Sequence, residues 1–293
     1  MGLLFCFRCF MNKTIAIQGY KGCFHQEAAA KYFGSTDLSV LECDTFNKLG
    51  EAIDDEVVPI GIMAIENSIA GSILQNYRIL RESDFTIVGE VFLRIVHNLM
   101  ALPGERTDSL KEASSHPMAI NQCLQFFKQH PHIKLVESND TALSAKLVSE
   151  NKLKGFAAIA SKTAAQLYDL EILNAGIETS KINYTRFFII QKNEGTIDHD
   201  EVNKASIYLR VLDKPGCLLK VLKIIEDQNT NISKLQSYPV LGKVSEYFFH
   251  LDLEFAHYEQ YKNIMDRLQD VTMELKELGS YKKATVYDNQ PVG

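Results

Sequence analysis

The chain has 293 residues, a length that usually forms about two domains. Its 46% hydrophobic and 23% charged residues are typical of a globular protein, and its net charge of −6 argues against nucleic acid as the main partner. No stretch reaches the roughly 18 apolar residues that a membrane span needs, so we expect no membrane association.

The amino-terminal residues lack the features of a secretion signal. The apolar stretch 1–10 has neither a basic start nor a small-residue cleavage site. We therefore expect a cytoplasmic protein in which residues 1–12 are a disordered extension, or in which translation starts at Met11. The six cysteines include a lone Cys6–Cys9 pair but no repeated pair or Cys/His grouping. We therefore expect reduced thiols and no metal site.

From residue 14 onward, strands alternate with helices. The predicted elements are a strand at 14–19, a helix at 25–33 ended by Gly34, a strand at 38–42, a helix capped by Asp44, a strand at 60–65 and a helix at 72–81. This alternation predicts a mainly parallel sheet with helices on both faces. Ligands in such folds bind at the carboxyl ends of the strands, where residues 66–68 lie.

A second series of strands and helices follows the long β-rich stretch 86–102. It comprises a helix at 117–129, a strand at 134–137, a helix at 141–150, a strand at 156–159, a helix at 162–167 and a returning strand at 185–190. We expect residues 13–192 to form one catalytic domain of two lobes with a cleft between them, as in periplasmic binding proteins. The first lobe would contain 13–92 and 176–192, and the second 93–175.

The carboxyl-terminal part has a different order of elements. Residues 193–203 have few large apolar side chains and predict a linker. Within 204–288 we predict a strand at 205–212, a helix at 216–227, strands at 232–239 and 246–254, a helix at 258–278 and a strand at 281–287. This βαββαβ order is that of the ferredoxin-like α+β fold.

Three separate motifs occur in order along the catalytic region. Residues 66–68 read Glu-Asn-Ser with Gly71 three residues on, residues 115–117 read Ser-His-Pro, and residues 183–187 read Asn-Tyr-Thr-Arg-Phe. Together they resemble the signatures of prephenate dehydratases. Met118 departs from the glutamine that is usual after Ser-His-Pro, so we transfer that role to Gln122.

The resemblance implies a reaction without a cofactor. Prephenate carries two carboxylates and a ring hydroxyl, and its conversion to phenylpyruvate expels carbon dioxide and water as the ring becomes aromatic. Hydroxide leaves only when it is hydrogen-bonded or protonated, and the resemblance assigns that hydrogen bond to Thr185. Arg186 either pairs with a substrate carboxylate or belongs to a structural ion pair.

The other candidates for binding the substrate lie in or beside the motifs. They are Asn67, Ser68, Gly71, Ser115, His116, Gln122, Thr141, Ser161, Arg186 and Phe187. Several have structural alternatives: His116 could simply begin a helix, and an Asn-Ser pair after a strand could be a turn. His97 lies on an alternating strand and is interpreted as a core residue.

Two carboxyl-terminal segments resemble the ACT regulatory domain. Residues 215–218 read Pro-Gly-Cys-Leu at the start of a helix, and residues 231–239 resemble a segment in which Gln236 and Tyr238 replace the usual glutamate and arginine. The resemblance implies that phenylalanine binds between paired domains of a homodimer or homotetramer; the alternative is that this domain only dimerises the enzyme. The candidate effector-binding residues are Pro215, Gly216, Cys217, Leu218, Asn231, Gln236 and Ser237.

The sequence thus predicts a prephenate dehydratase that is feedback-inhibited by phenylalanine. Two alternatives remain open. Arogenate differs from prephenate only by an amino group on its side chain, so the chain could be an arogenate dehydratase. Two lobes around a cleft also occur in binding proteins, so a sensor of amino acids without catalytic activity is the alternative from another class.

Overall fold

The structure is a computed structural model that describes residues 14–192, 200–240, 242–243 and 246–285. The predicted extension at 1–12, the Cys6–Cys9 pair and most of the predicted linker lie outside these residues. The chain forms two compact units. The first contains the described residues up to Tyr77 together with Val91–Phe187, and the second contains Arg78–Glu90 and the described residues from Phe188 onward.

The first sheet has the strand order β2-β1-β3-β11-β5, with the short β4 paired to β3. Its strands are β1 (Ile15–Gln18), β2 (Val40–Cys43), β3 (Ile60–Asn67), β4 (Gly71–Ser72), β5 (Thr86–Arg94) and β11 (Tyr184–Gln191). The accompanying helices are α1 (Phe24–Phe33), α2 (Phe46–Asp54) and α3 (Leu74–Glu82). Strand β1 runs parallel to both β2 and β3, as the alternation of elements predicts.

Local signals explain most of these boundaries. The first six residues of β3 are buried, which suits a strand covered on both faces. Helix α1 ends at Gly34 in the left-handed region (φ 63°), as predicted. The prediction that Asp44 caps α2 is wrong: Thr45 accepts the hydrogen bond from the Lys48 backbone N–H, while Asp44 pairs with the Lys48 ammonium.

The second sheet has the order β10-β6-β9-β7-β8. Its strands are β6 (Asn98–Ala101), β7 (Glu112–Ser115), β8 (Lys134–Glu137), β9 (Phe156–Ala160) and β10 (Glu171–Asn174). The helices α4 (Pro117–Lys128), α5 (Thr141–Glu150) and α6 (Lys162–Leu167) accompany it. The sheet is mixed, because β6 runs antiparallel to β9 and β10.

The long β-rich stretch 86–102 is not one continuous strand. It is two strands, β5 and β6, that belong to different sheets. The backbone N–H of Ile95 donates to the Asn183 carbonyl, and that of His97 donates to the Glu178 carboxylate. These bonds to the segment before β11 take the place of bonds along a strand ladder, and they end the first strand.

Within the first unit, strands β1–β4 and their helices pack together with the second sheet and its helices. We call β1–β4 with α1 and α2 the first lobe, and β6–β10 with α4–α6 the second lobe. Ser161 of the second lobe donates its hydroxyl hydrogen to the Gly22 carbonyl of the first at 2.6 Å. Side chains of both lobes share one apolar cluster, in which Ile17 and Cys23 meet alanines such as Ala142.

The second unit has the predicted βαββαβ order of elements. Its strands are β12 (Lys204–Arg210), β13 (Asn231–Pro239), β14 (Tyr247–Glu254) and β15 (Glu274–Tyr281), and its helices are α7 (Cys217–Asp227) and α8 (Tyr258–Gln269). The strands pair antiparallel in the order β13-β14-β12-β15. Apolar side chains of one sheet face pack with those of both helices, including Ile207, Val221 and Ile264.

The predicted boundary between the last helix and the last strand is wrong. Helix α8 ends at Gln269, and residues 274–281 form the strand that was placed at 281–287. The hydroxyl of Thr272 donates to the carbonyl of Leu268, which closes the helix, and the Met273 N–H donates to the Arg210 carbonyl at 2.7 Å. Pairing with β12 therefore decides the conformation of this segment.

A buried ion pair belongs to the second unit. The Lys204 ammonium lies 3.1 Å from both carboxylate oxygens of Glu90 and 3.7 Å from Glu254. The side chains of Lys204 and Glu90 are almost fully excluded from solvent. In general, removing one member of a buried ion pair strongly destabilises the fold, because the other charge stays buried without compensation.

Candidate active site

Asn67 lies at the end of β3, where its side chain organises the following turn. Its Oδ1 accepts hydrogen bonds from the backbone N–H groups of Ile69 (3.0 Å) and Ala70 (2.9 Å). Its Nδ2 donates to Asn183 Oδ1 at 2.8 Å and to Thr185 Oγ1 at 3.0 Å. Asparagine favours such turns because its side chain can bond to the backbone two or three residues on.

Thr185 is the second residue of β11 and is 8% exposed. Among the residues that the structure describes, its hydroxyl bonds only to Asn67, and it is the acceptor in that bond. A hydroxyl has one hydrogen to donate in addition to its lone pairs. The hydrogen of Thr185 therefore remains available to a bound molecule.

Gln122 and Asn183 extend this arrangement. The Asn183 Nδ2 donates to Gln122 Oε1 at 2.8 Å, and the same oxygen lies 2.9 Å from His97 Nε2. Burial lowers the pKa of His97, while its bond to Gln122 and the charge of Glu178 act in the opposite direction. We call these five residues the amide cluster: Asn67, Gln122, Asn183, Thr185 and His97.

Sequence reasoning identified part of the amide cluster. Asn67, Gln122 and Thr185 were predicted as site residues, and the structure brings them together. Asn183 stands in the Asn-Tyr-Thr-Arg-Phe motif but was not singled out, although its place two residues before Thr185 is a usable signal. His97 is a core residue, as interpreted, and it also bonds to a predicted site residue.

Ser68 and Gly71 shape the turn after β3. The Ser68 hydroxyl accepts from the Tyr184 N–H at 2.9 Å and donates to the Ile182 carbonyl at 3.3 Å, so it holds the turn to the start of β11. Gly71 has φ 83° and pairs with Asn67 across β3 and β4. Both residues lie beside the amide cluster, where the sequence placed them.

Other predicted hydroxyl groups bond to the backbone. Ser115 donates to the Ile159 carbonyl at 2.6 Å, and Ser161 both donates to the Gly22 carbonyl and accepts from the Ala164 N–H. These contacts give both serines a scaffold role. Among the described residues, no hydrogen bond connects either serine to the amide cluster.

His116 and Thr141 are placed at helix starts. His116 is exposed and caps α4, with Nδ1 accepting from the Met118 N–H at 3.2 Å. Thr141 is buried as the first residue of α5, which Asp140 caps. Within the described part of the chain, neither side chain is hydrogen-bonded to the amide cluster.

Arg186 and Phe187 follow Thr185 on β11. Successive side chains of a strand point to opposite faces, so Arg186 lies on the face opposite Thr185. Its guanidinium is buried and lies 5.9 Å from the centroid of Phe92. Phe187 is buried against His25, with ring centroids 5.0 Å apart, and burial lowers the His25 pKa to about 3. Of the two possible roles of Arg186, this geometry favours the structural one.

A cavity of about 540 Å³ opens beside the carboxyl ends of β1 and β2. It is lined by Gln18, Gly19, Tyr20, Asp44, Thr45, Asn139 and Asp140. Burial raises the pKa of the Asp140 carboxyl, while bonds from backbone N–H groups oppose that effect. Residues of both lobes contribute, and Thr141 follows directly in sequence.

The candidate effector residues lie on two segments of the second unit. Gly216 adopts φ 83° at the start of α7, beside Pro215, Cys217 and Leu218. Strand register places Asn231 opposite Glu254 and Lys204, at the far end of the sheet from Arg210, which precedes the α7 loop. Gln236 and Ser237 lie nearer to that loop end. One chain alone therefore does not bring Asn231 to the start of α7.

The described residues contain no group of three or more His, Cys, Asp or Glu side chains that could hold a metal ion. No helix within the described ranges is both long enough and apolar enough to cross a membrane.

Comparison with known proteins places this geometry in a family. The sequence model of the prephenate dehydratase family matches residues 15–195. A prephenate dehydratase of Methanocaldococcus jannaschii is 34% identical, over 92% of this chain and 98% of the relative. Arogenate dehydratase 5 of Arabidopsis thaliana is 33% identical, over 91% of this chain and 67% of the relative.

Solved structures agree with the family match. A prephenate dehydratase from Arthrobacter aurescens, in complex with L-Phe, superposes with a TM-score of 0.84 at 25% identity, over 94% of this chain and 91% of that one. A structure described as a novel type of quorum quenching acylase superposes with a TM-score of 0.83 at 29% identity, over 93% and 98%. With its match to the family model and its similarity to the M. jannaschii enzyme, the chain belongs to the prephenate dehydratase family.

Proposed function

We propose that this protein converts prephenate to phenylpyruvate, with Thr185 as the residue that assists departure of the ring hydroxyl. One observation carries the proposal. Asn67 donates to Thr185 Oγ1, so the threonine hydroxyl hydrogen is left to donate to a substrate. A donor held in this orientation before the substrate arrives has no reorganisation to undergo during the reaction.

The reaction balances without an oxidant or reductant. The bond between the ring and its carboxylate breaks, carbon dioxide leaves, and the electron pair of that bond enters the ring. The ring carbon–oxygen bond breaks at the opposite carbon, and the hydroxide departs as water after receiving one proton, which the solvent supplies. Thr185 donates a hydrogen bond to this leaving oxygen, where negative charge develops.

Gln122 is the proposed partner of a substrate anion. Its Oε1 is used by Asn183 and His97, and its Nε2 has no hydrogen-bond partner among the described residues. An amide nitrogen offers two hydrogens to an acceptor. The Gln122 amide therefore supplies a neutral donor in the same hydrogen-bonded cluster as Thr185, and such a donor suits a carboxylate and does not attract a metal ion.

Arogenate is the second candidate substrate, because a relative that is 33% identical is named arogenate dehydratase. The two substrates share the ring, the leaving hydroxyl and the ring carboxylate, so the proposed role of Thr185 is the same for both. They differ in the side chain, which carries a keto group in prephenate and an ammonium group in arogenate.

The experiment compares the wild type with Thr185→Val and Thr185→Ser on both substrates. Valine has nearly the shape of threonine but no hydroxyl, so we expect at least about a 100-fold loss of kcat, whereas serine should keep most of the activity. Formation of phenylpyruvate and of phenylalanine reports on prephenate and arogenate separately. A valine variant as active as the wild type would refute the role of Thr185. A wild type that is inactive on both substrates would refute the proposed function.

We further propose that phenylalanine inhibits the enzyme through the second unit, acting as an ACT domain. The βαββαβ order supports this, as does the relative solved in complex with L-Phe. Because Asn231 and Gly216 lie toward opposite ends of one sheet, we infer that two copies of the chain complete the effector site in a homodimer or homotetramer. Inhibition requires that phenylalanine binds a less active state more tightly than the active one.

Regulation is tested by measuring the initial rate against phenylalanine concentration. We expect the rate to fall in the wild type, and to respond less in Gly216→Ala, because alanine disfavours the positive φ at the start of α7. Sedimentation of the same samples gives the oligomeric state. An unchanged wild-type rate at saturating phenylalanine, or a monomer, would contradict this part of the proposal.

A further inference from the structure

His97 is the member of the amide cluster that lies at the connection between β5 and β6, and it is 3% exposed. Its backbone N–H donates to Glu178 at 3.0 Å, and its carbonyl accepts from the Ile177 N–H at 2.8 Å. Its ring packs edge-on against Phe24, with centroids 5.4 Å apart. These contacts hold the imidazole in one position, with Nε2 facing Gln122 Oε1. Which of these two atoms is the donor depends on the tautomer of His97.

That direction follows from the turn after β3. Two backbone N–H groups, of Ile69 and Ala70, point at one side-chain atom of Asn67. Backbone N–H groups only donate, so this atom is the oxygen Oδ1, and the nitrogen Nδ2 must face the other way. Asn67 therefore donates to Asn183 and to Thr185.

The same reasoning passes from one amide to the next. Asn183 accepts from Asn67 through Oδ1, so its Nδ2 faces Gln122 and donates to Gln122 Oε1. This oxygen has no hydrogen, so the His97 Nε2 beside it must carry the proton and donate as well. His97 is then the Nε2–H tautomer, which leaves Nδ1 as a bare lone pair.

Two observations agree with this tautomer. Nδ1 of His97 is buried without a hydrogen-bond partner among the described residues, an environment that suits a lone pair better than an N–H group. Burial also lowers the pKa of the ring and so favours its neutral form. The imidazole is thus a neutral donor, and its hydrogen-bond partner among the described residues is Gln122.

We propose that His97 is a positioning residue for the dehydration reaction. With Asn183, its Nε2–H holds Gln122 Oε1 inward and thereby turns the Gln122 NH₂ group outward as a donor to the substrate. This inference rests on the proposed function of the site. The Gln122 amide can be flipped so that its oxygen and nitrogen exchange places, and the hydrogen bonds from His97 and Asn183 to Oε1 select one of these orientations. Removing the His97 ring removes one of these two hydrogen bonds.

Kinetics of His97→Leu, His97→Gln and Gln122→Ala test the role of the bond. Leucine removes the donor at similar size, and we expect kcat/KM on prephenate to fall about tenfold, the effect of one neutral hydrogen bond. Glutamine can place an amide N–H near the position of Nε2, so His97→Gln should recover most of the activity. Thermal unfolding midpoints of all variants serve as controls for folding.

A double-variant comparison shows whether His97 acts through Gln122. In the Gln122→Ala background, His97→Leu should cause little further loss, because the residue that it positions is gone. A purely structural contribution of His97 would persist there. Losses that multiply, or a His97→Gln variant as impaired as His97→Leu, would overturn the proposal.

Nitrogen-15 spectra of the histidine rings test the tautomer in the wild-type chain, independently of activity and of variant stability. The signals of His97, assigned among the 8 histidines by their loss in His97→Gln, should show a protonated Nε2 and an unprotonated Nδ1. An Nδ1–H tautomer would overturn the inference. An inactive wild type would refute the proposed function and this role with it, whereas multiplying losses in an active enzyme would refute the role of His97 alone.

Discussion

Ser161 donates its hydroxyl hydrogen to the carbonyl of Gly22 at 2.6 Å, and this bond joins the second lobe to the first. The same oxygen accepts from the Ala164 N–H and caps α6. The sequence suggested Ser161 as a residue that binds the substrate. Its contacts instead make it part of the packing between the lobes.

Replacement of Ser161 by alanine should therefore destabilise the fold. We expect the free energy of unfolding to fall by about 1–3 kcal/mol, because a helix cap and a buried hydrogen bond are both lost. Urea denaturation measures this change, and Ser180→Ala, at an exposed serine, is the control. An unchanged unfolding free energy together with a raised KM would favour the substrate-binding role instead.

Gly22 should tolerate alanine much less than Gly34 does. Both glycines have positive φ, at 88° and 63°. A Cβ on Gly22 would lie 2.8 Å from the Cα of Ala164, whereas one on Gly34 would meet nothing within 4 Å. We expect Gly34→Ala to cost about 1–2 kcal/mol, the strain of left-handed backbone alone, and Gly22→Ala to cost clearly more. Equal losses in urea denaturation would show that the contact between the lobes relaxes freely.

His25 should make stability depend on pH. Its pKa is lowered to about 3 by burial, below the ordinary value of about 6.5. Between these values the unfolded chain binds a proton at His25 and the folded chain does not, so this group lowers stability as pH falls, by about 1.4 kcal/mol per pH unit.

Comparison of wild type with His25→Gln isolates this effect. The variant cannot titrate there, so its stability relative to wild type should rise by about 2 kcal/mol between pH 6.5 and pH 5. Urea denaturation at both pH values gives the difference. His132→Gln, which makes the same substitution at an exposed histidine, is the matched control. A parallel pH dependence of wild type and His25→Gln would contradict the prediction.

Lys204 and Glu90 should be strongly coupled. Lys204→Met removes the ammonium that lies beside the buried Glu90 carboxylate, and we expect a loss of about 3–5 kcal/mol in the free energy of unfolding. The double variant Lys204→Met/Glu90→Leu should recover much of that loss, because the buried Glu90 carboxylate is removed together with the ammonium that neutralises it. Thermal and urea unfolding of the two single variants and the double variant provide the test. Additive losses would show that the pair does not act as a unit.

The sequence predicts elements well where the signals are local. Helix 141–150 begins at the Asp140 cap and helix 162–167 at the Ser161 cap, and both were predicted with the bounds that the structure has. The prediction of secondary structure fails where the conformation of a segment depends on residues far away in sequence. The break at 95–97 depends on residues almost ninety positions away, and the conformation of 274–281 depends on pairing with β12.

The candidate site shows the same division. The motifs located Asn67, Gln122 and Thr185, which belong to one hydrogen-bonded cluster through Asn183 although they are far apart in sequence. The sequence could not reveal that the hydroxyls of Ser115 and Ser161 bond to backbone carbonyls, because those acceptors come from other strands and turns. Nor could it give the direction of each bond in the amide cluster.

The donor and acceptor roles in the amide cluster are set by two backbone N–H groups, those of Ile69 and Ala70. This has an evolutionary consequence. Every residue type except proline keeps its backbone N–H, so drift in the side chains at 69 and 70 cannot reverse the polarity that reaches Thr185. Ile69 is 46% exposed and is free to vary in this sense. Proline at either position, or a changed turn length, would remove the backbone N–H groups that set the orientation of the Asn67 amide. In descendants of this sequence we therefore expect many residues at these two sites, but neither proline nor insertions.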